Sequence, residues 1–297
     1  HPPREVMLDR ARSCAGLLTN VEDRVDKELL AAGSGSLKVV ANMAVGFDNF
    51  DVAAATRCGI ALSNTPGVLT KTTADLAFAL LMAAARRVVE GDQDVRLGKW
   101  RNWHPFAYVG QDVYGANLSI LGLGQIGLEM AKRGLGFEMK VSYYDPVRRN
   151  DEEQRYGLQY FEDMDSALKD ADFVSVHMPL FAETRHIIGK DQLHLMKPTA
   201  ILVNAARGPI VDNHALFEAL RDGVIAAAGL DVTEPEPIPM DDPLLTLPNV
   251  VITPHIGSAS LATRTKMAVL AARNIIARLK GEEMPTCLNP GVLKSGD

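Results

Sequence analysis

From Asn117 to His255 short apolar runs alternate with helical segments, and this alternation restricts the fold more than any other feature of the chain. The runs are NLSILG, KVSYYD, DFVSVHM, AILVNA, IAAAGLDV and NVVITPH. A Gly-rich turn and a helix reaching Leu135 follow the first, and an acidic helix over 163–169 follows the second. KDQLHLM and a helix over 213–222 follow the third and fourth. Strands joined by helix-length connections pair in parallel through right-handed crossovers, which predicts an open, doubly wound α/β sheet. A shorter version of this grammar comes earlier, as strand LKVVANMA, a turn around Gly46, a short helix over 51–58 and strand IALSN before Pro66 and Gly67. Between the two stands an Ala- and Leu-rich helix expected from 74 to about 90, capped by Thr72 or Thr73 and apolar all round, hence buried.

At 297 residues the chain exceeds the usual size of one core, so two domains are expected. Its 47% apolar and 23% charged residues are those of an ordinary globular protein, and a net charge of -6 argues against a nucleic-acid partner, which calls for a basic face. The longest apolar stretch, 76–85, is closed by Asp75 on one side and by Arg86 and Arg87 on the other; it falls short of the roughly 20 residues a membrane span needs. Three cysteines, Cys14, Cys58 and Cys287, odd in number and without metal-ligand spacing, predict reduced thiols, a cytoplasmic location and no metal site. The chain opens HPPREVML, with neither an initiator Met nor the pattern of a signal peptide, and reads as a fragment lacking its natural start.

Gly122, Gly124 and Gly127 in GLGQIG directly follow a strand and open a helix. The first permits a tight turn, the second lets a pyrophosphate approach the backbone, and the third lets helix pack on strand, while the helix N-terminus offers N–H groups to the phosphates. Asp145, closing the next strand, stands where an acidic side chain accepts hydrogen bonds from the adenosine ribose. Its charge opposes a 2'-phosphate, so NAD(H) is favoured, while Arg148 and Arg149 close by keep NADP(H) open.

Three residues of acid/base character follow three later strands: Arg207 in NAARGPIVD, Glu236 in DVTEPEP and His255 in TPHIGSA. Loops leaving the strand ends of an open parallel sheet converge on one crevice, so a cation, a carboxylate and an imidazole can meet there around one anionic substrate. Taken singly, each keeps a plainer reading: His255 as a turn histidine, Glu236 as one exposed acid beside Glu234, Asp241 and Asp242, and Arg207 as a surface ion-pair residue. Trp100 and Trp103 read as core-packing residues.

The ordered set AVGFDNFD, GLGQIG, HMPL, NAARG, DVTEPEP and PHIGSA resembles the D-isomer-specific 2-hydroxyacid dehydrogenases over nearly the whole chain. Within that family the VGFDN and DVTEPEP segments look most like glyoxylate/hydroxypyruvate reductases, also described as glycerate dehydrogenases. The resemblance implies a Rossmann cofactor domain (72–258) inserted into a smaller, flavodoxin-like substrate domain (1–71 and 259–297). That substrate domain would lack its first strand and helix, because family members carry both ahead of the segment matching CAGLLT. The resemblance also implies reduction of a small 2-oxo acid, such as glyoxylate or hydroxypyruvate, to the D-2-hydroxy acid with NAD(P)H. Arg207, Glu236 and His255 would be catalytic, with His255 giving the proton. The substrate carboxylate would lie on the backbone of Val45 and Gly46 and on Arg207. Cofactor contacts would come from Thr73, the glycines Gly122, Gly124 and Gly127 with Gln125 and Ile126, Asp145, Met178, Pro179, Thr184, Ala205, Ala206, Asp231 and Gly257, Asp231 holding the nicotinamide amide. A homodimer is implied too, in which the loop carrying Trp103 walls the partner's substrate site. Corepressors of the same superfamily share the three catalytic residues, as do phosphoglycerate dehydrogenases. Phosphite dehydrogenases share GFDNFDV but place a lysine where Val45 stands, and formate dehydrogenases pair their histidine with glutamine, unlike Glu236.

Overall fold

The computed structural model describes residues 2–293, and the chain divides into two units, one formed by the residues up to Leu69 with those from Ser258 onward, the other by Thr70–Gly257. The first unit opens with α1 (Arg4–Ser13), β1 (Gly16–Thr19), α2 (Lys27–Ala32), β2 (Val39–Asn42), α3 (Val52–Arg57) and β3 (Ala61–Ser63). Its three strands pair in parallel in the order β1-β2-β3. Asp26 and Asp51 cap α2 and α3 by accepting hydrogen bonds from the N–H groups of Leu29 and Ala54. Leu29, Leu30, Val40, Ala55, Ile60 and Leu62 form the core between helices and sheet.

The second unit runs α4 (Thr70–Ala85), α5 (Val88–Arg96), β4 (Asn117–Leu121), α6 (Gln125–Gly136), β5 (Lys140–Tyr144), α7 (Asn150–Tyr156), β6 (Gln159–Phe161) and α8 (Met164–Asp170). It continues with β7 (Phe173–Val176), α9 (Lys190–Leu195), β8 (Ile201–Asn204), α10 (Asn213–Arg221), β9 (Ala227–Leu230) and β10 (Val250–Ile252). Every pairing is parallel, in the order β10-β9-β8-β7-β4-β5-β6. The central strands are buried on both faces: Leu202 lies in one apolar cluster while its neighbours Ile201 and Val203 lie in the other. Strand order reverses between β4 and β7, the switch point beside which ligands of such sheets bind. The doubly wound α/β sheet is therefore present as the alternation predicts.

Helix α11 (Leu261–Lys280) belongs to the first unit, starts at a Ser260 cap and ends at Gly281 in the left-handed region (φ 72°). It presses on β1, where a Cβ on Gly16 would lie 2.7 Å from Ile275. The end of the expected 259–297 segment, residues 294–297, lies outside the described residues.

Three expectations need correction. The helix expected over 74–90 spans Thr70–Ala85, so Thr72 and Thr73 lie within it and cap nothing. Its end is tertiary in origin, because the Ala85 carbonyl accepts the N–H of Gln111 (2.9 Å) and Gly110 packs against that same oxygen. Arg87 then takes a left-handed φ of 50° and α5 begins. Secondly, α7 and β6 have no counterpart among the predicted elements, because NDEEQRY is polar throughout and β6 is a three-residue edge strand. Thirdly, Trp100 and Trp103 are not core: they stand 62% and 79% exposed, with Phe106 at 81%. Among the described residues no helix is long and apolar enough to cross a membrane.

Candidate active site

Strands β8, β9 and β10 are neighbours, with Asn204 opposite Leu230 and Leu230 opposite Ile252. The loops leaving their C-terminal ends carry Arg207, Glu236 and His255. Buried Asn204 brackets the first turn, accepting from Ala206 N (3.0 Å) and donating to the Arg207 carbonyl (2.9 Å). Arg207 itself is extended and precedes a 3-10 turn, and its Nη1 donates to the Ala206 carbonyl at 2.8 Å. Gly208 admits no side chain, since a Cβ there would sit 2.0 Å from the Thr233 carbonyl oxygen and 2.9 Å from Glu234 N. The Arg207 loop is thereby seated directly on the loop that leads to Glu236.

Asp231 organises the next turn from a position only 2% exposed. Its carboxylate accepts hydrogen bonds from Thr253 Oγ1 (2.6 Å), Ile256 N (2.8 Å) and Gly257 N (2.7 Å), while its carbonyl accepts His255 N (3.0 Å). Burial pushes the Asp231 carboxyl above the ordinary carboxylate range, opposed by those three hydrogen bonds and by the charge of His255. This staple holds His255 at a left-handed φ of 50°, a conformation L side chains adopt at a cost, so a turn that glycine would fill more easily keeps an imidazole instead. His255 Nδ1–H donates to Glu236 Oε1 at 2.5 Å. Because a carboxylate can only accept, the Glu236 contact places the proton on Nδ1 and leaves Nε2 for chemistry.

Across the switch point lies the glycine turn. Gly122 takes φ 97°, and a Cβ on it would meet Met178 N at 2.8 Å; one on Gly127 would lie 2.1 Å from the Gly122 carbonyl. Gly124 differs, for a Cβ there meets nothing within 4 Å. Gly124 is the N-cap of α6 and has no side chain to satisfy the first N–H groups of the helix, at Gln125 and Ile126, which suits this open edge to a diphosphate. Gln125 Oε1 accepts from Thr70 Oγ1 (3.3 Å), and Thr73, on the next turn of α4, lies within 3.2 Å of where a Cβ on Gly257 would stand. Both Asp145 oxygens accept backbone N–H groups, of Leu123 and Val147, each at 2.9 Å, which fixes the carboxylate at the end of β5. Arg148 is held by Glu153 in a two-pronged pair (2.9 Å and 2.9 Å), and Glu153 also accepts from Tyr143 Oη (2.7 Å), whose pKa burial pushes up to about 12.

After β7, Met178 is buried against Gly122, and Pro179 and Ala205 border the same strand ends. The Thr184 hydroxyl donates to the Pro179 carbonyl and accepts Phe181 N (2.8 Å each), closing the turn on which Pro179 sits. In the first unit, the carbonyls of Val45 and Gly46 accept from Asn64 (2.8 Å) and Asn42 (3.0 Å), whereas among the described residues no protein acceptor takes their N–H groups.

Several polar residues of the second unit escaped the sequence reading. His177 bonds Ser175 Oγ through Nε2 (2.8 Å), and burial pushes its pKa down to about 4. His186 and Arg185 both grip Glu234, at 2.6 Å and 2.8 Å. Their only sequence signal is proximity to HMPL and DVTEPEP, because the pairing joins loops 48 positions apart.

Residues 78–257 match the model of the D-isomer specific 2-hydroxyacid dehydrogenase NAD binding domain. The chain is 52% identical to a glyoxylate reductase of Korarchaeum cryptofilum, over 99% of this chain and 88% of that protein. A crystal structure of a Thermus thermophilus protein superposes with TM-score 0.91 at 45% identity, covering 97% of this chain and 90% of that one. An NADPH-dependent glyoxylate/hydroxypyruvate reductase of Sinorhizobium meliloti, solved with NADP and malonate, gives TM-score 0.84 at 34% identity, covering 94% and 85%. With more than half its length matched and half its residues shared with a full-length relative, this chain belongs to the D-isomer specific 2-hydroxyacid dehydrogenase family.

Proposed function

We propose that the protein reduces a small 2-oxo acid, of the glyoxylate or hydroxypyruvate class, to its D-2-hydroxy acid with a nicotinamide cofactor. The observation that carries this reading is the His255–Glu236 hydrogen bond at 2.5 Å, which joins the loops leaving β10 and β9 beside the β8 loop that bears Arg207. The open edge at Gly124 fits a dinucleotide diphosphate. Gln125, Ile126, Asp145, Met178, Pro179, Ala205 and Ala206 line the strand ends that would hold the cofactor, with Thr73, Asp231 and Gly257 at the nicotinamide end and Thr184 acting through its turn. When bound, the cofactor supplies hydride to the substrate C2. His255 gives a proton from Nε2 to the carbonyl oxygen while Glu236 holds the ring and balances its charge. Arg207 binds the carboxylate and polarises the carbonyl. Reduction therefore takes the proton from the ring, and oxidation of the hydroxy acid returns it.

NADH is the favoured cofactor. Asp145 is fixed by two backbone donors, and Arg148, which a 2'-phosphate would recruit, is already committed to Glu153. The exposed Trp103 arm fits a homodimer in which Trp103 of one protomer walls the substrate site of the other. The deciding experiment is a spectrophotometric screen of NADH and NADPH against glyoxylate, hydroxypyruvate and larger 2-oxo acids. Steady turnover with the small acids is expected, and Arg207→Ala should lose about 2 to 4 kcal/mol of transition-state binding. Tight NADH binding without turnover would overturn the assignment.

A further inference from the structure

The loop after β7 reaches the two loops that carry Arg207 and Glu236: Ile188 ties it to the segment after Arg207, donating to the Ile210 carbonyl (3.2 Å) and accepting from Asp212 N (3.0 Å), and His186 touches both loops at once. The N–H of His186 donates to the carbonyl of Pro209, two residues beyond Arg207, at 2.8 Å. Its Nε2 bonds Glu234 Oε2, two residues before Glu236, at 2.6 Å, and Arg185 Nη2 donates to the other Glu234 oxygen at 2.8 Å. Beneath this link, Gly208 rests on the Thr233 carbonyl with no room for a Cβ. His186 holds a left-handed φ of 51°, so the chain accepts backbone strain at a site where a glycine would relieve it and would lose the imidazole.

We propose that His186 and Glu234 are positioning residues, a link that fixes the β8 and β9 loops in the register at which Arg207 and Glu236 work. The proposal rests on the catalytic reading of those two residues given above. Exposed ion pairs of this type add little to folding stability, so the link is read out in geometry rather than in Tm. A misplacement of about 1 Å in a catalytic group costs up to about a hundredfold in rate. Glu236 has one partner ring to meet at 2.5 Å, and its backbone lies two peptide units from the anchored Glu234.

The test is a mutant cycle on the full chain, with glyoxylate and NADH as probes. Glu234→Ala and His186→Ala should each lower kcat by about ten- to a hundredfold, with the NADH dissociation constant, followed by nucleotide fluorescence, and Tm both unchanged. Glu234→Gln keeps an acceptor for His186 and should recover most of the loss. In a Glu236→Gln background, Glu234→Ala should cost far less than in the wild type, because the group it positions is already disabled. An equal factor in both backgrounds, an unchanged kcat, or a loss that follows a falling Tm would overturn the proposal. If Glu234→Ala fails to fold, His186→Ala combined with Arg185→Ala removes both side-chain partners of Glu234 and is judged by the same criteria. Should Glu236→Gln by itself leave kcat/KM untouched, the catalytic reading falls instead, and the two failures are told apart by that single variant.

Discussion

Gly208→Ala tests the interlock of the Arg207 and Glu236 loops by a single methyl group. The new Cβ would begin 2.0 Å from the Thr233 carbonyl oxygen and 2.2 Å from its carbon, both backbone atoms that no rotamer change can move aside. Real Cβ contacts hardly ever undercut 3.0 Å, so the two loops must part by about 1 Å. A displacement of that size between acid/base groups costs about a hundredfold in rate, equivalent to about 2.7 kcal/mol of transition-state stabilisation. Overpacking adds about 1 to 3 kcal/mol of lost stability. The assay is kcat/KM for glyoxylate reduction, with NADH affinity and urea unfolding measured on the same preparation. The glycine turn at Gly122–Gly127 lies on the other side of the switch point, so nucleotide affinity should hold while kcat/KM falls. Gly157→Ala is the control. Its φ of 66° carries strain of about 1 kcal/mol, yet its Cβ meets nothing within 4 Å, so only stability should move. A Gly208→Ala enzyme with wild-type kcat/KM would refute the claim that these loops act as one body.

Three further outcomes follow from the same geometry. His177, held down to about 4 from an ordinary 6.5, is neutral in the fold where the unfolded chain takes a proton; its stabilisation is fully present above about pH 6.5 and is lost as pH falls toward about 4, an amount of about 3 kcal/mol. His177→Gln should flatten unfolding free energy across that window, and an equally steep pH profile would contradict the assignment. Asp145→Ser combined with Glu153→Gln removes the charge facing a 2'-phosphate and releases Arg148. The NADPH to NADH ratio of kcat/KM should rise by about tenfold or more, and an unchanged ratio would exclude this corner from cofactor choice. Asp231→Ala orphans the N–H groups of Ile256 and Gly257 and the Thr253 hydroxyl, offset by removal of one costly buried charge. About 3 kcal/mol of stability should go, together with nearly all turnover as His255 leaves its strained turn, and an active Asp231→Ala enzyme would contradict this account.

The parts legible in the sequence share one physical cause, which is burial on both faces. NLSIL, FVSV and ILVN are apolar because helices cover each side of the sheet, so their strands stand out from the polar helices and loops around them. QYF in β6 sits at an edge with one face in water and carries no such mark. The end of α4 was hidden for another reason: the chain from Thr70 to Arg87 remains a competent helix former, and only the arrival of Gly110 and Gln111 at the Ala85 carbonyl stops it. At the site, Arg207 and His255 are conspicuous because a charged or titratable side chain closes an apolar run. Glu234 and His186 look like ordinary exposed polar residues, and their meaning lies in a pairing that depends on which strands are neighbours.

Strand order also explains why one loop touches both the glycine turn and the Arg207 loop. β7 lies between β4 and β8, so the chain leaving it faces the glycine turn on one side and the Arg207 loop on the other. Its first residues are fixed by the cofactor side, where the backbone of His177 and Met178 packs onto Gly122 so closely that a methyl group there would overlap. Its later residues are fixed by the loops after β8 and β9, through His186 to Pro209 and Glu234. Between these anchors the chain turns on the Thr184 hydroxyl, which closes 179–184 into a compact unit rather than a slack connection. A segment fastened at both ends and braced in the middle keeps the glycine turn and the Arg207 loop at a constant separation. A left-handed histidine, a glycine with no room for a Cβ and a threonine hydroxyl that both donates and accepts thus stand within two adjoining loops. Had β7 and β8 exchanged places in the sheet, the loop after β7 would still border the loops of Pro209 and Glu234 but would no longer lie beside the glycine turn.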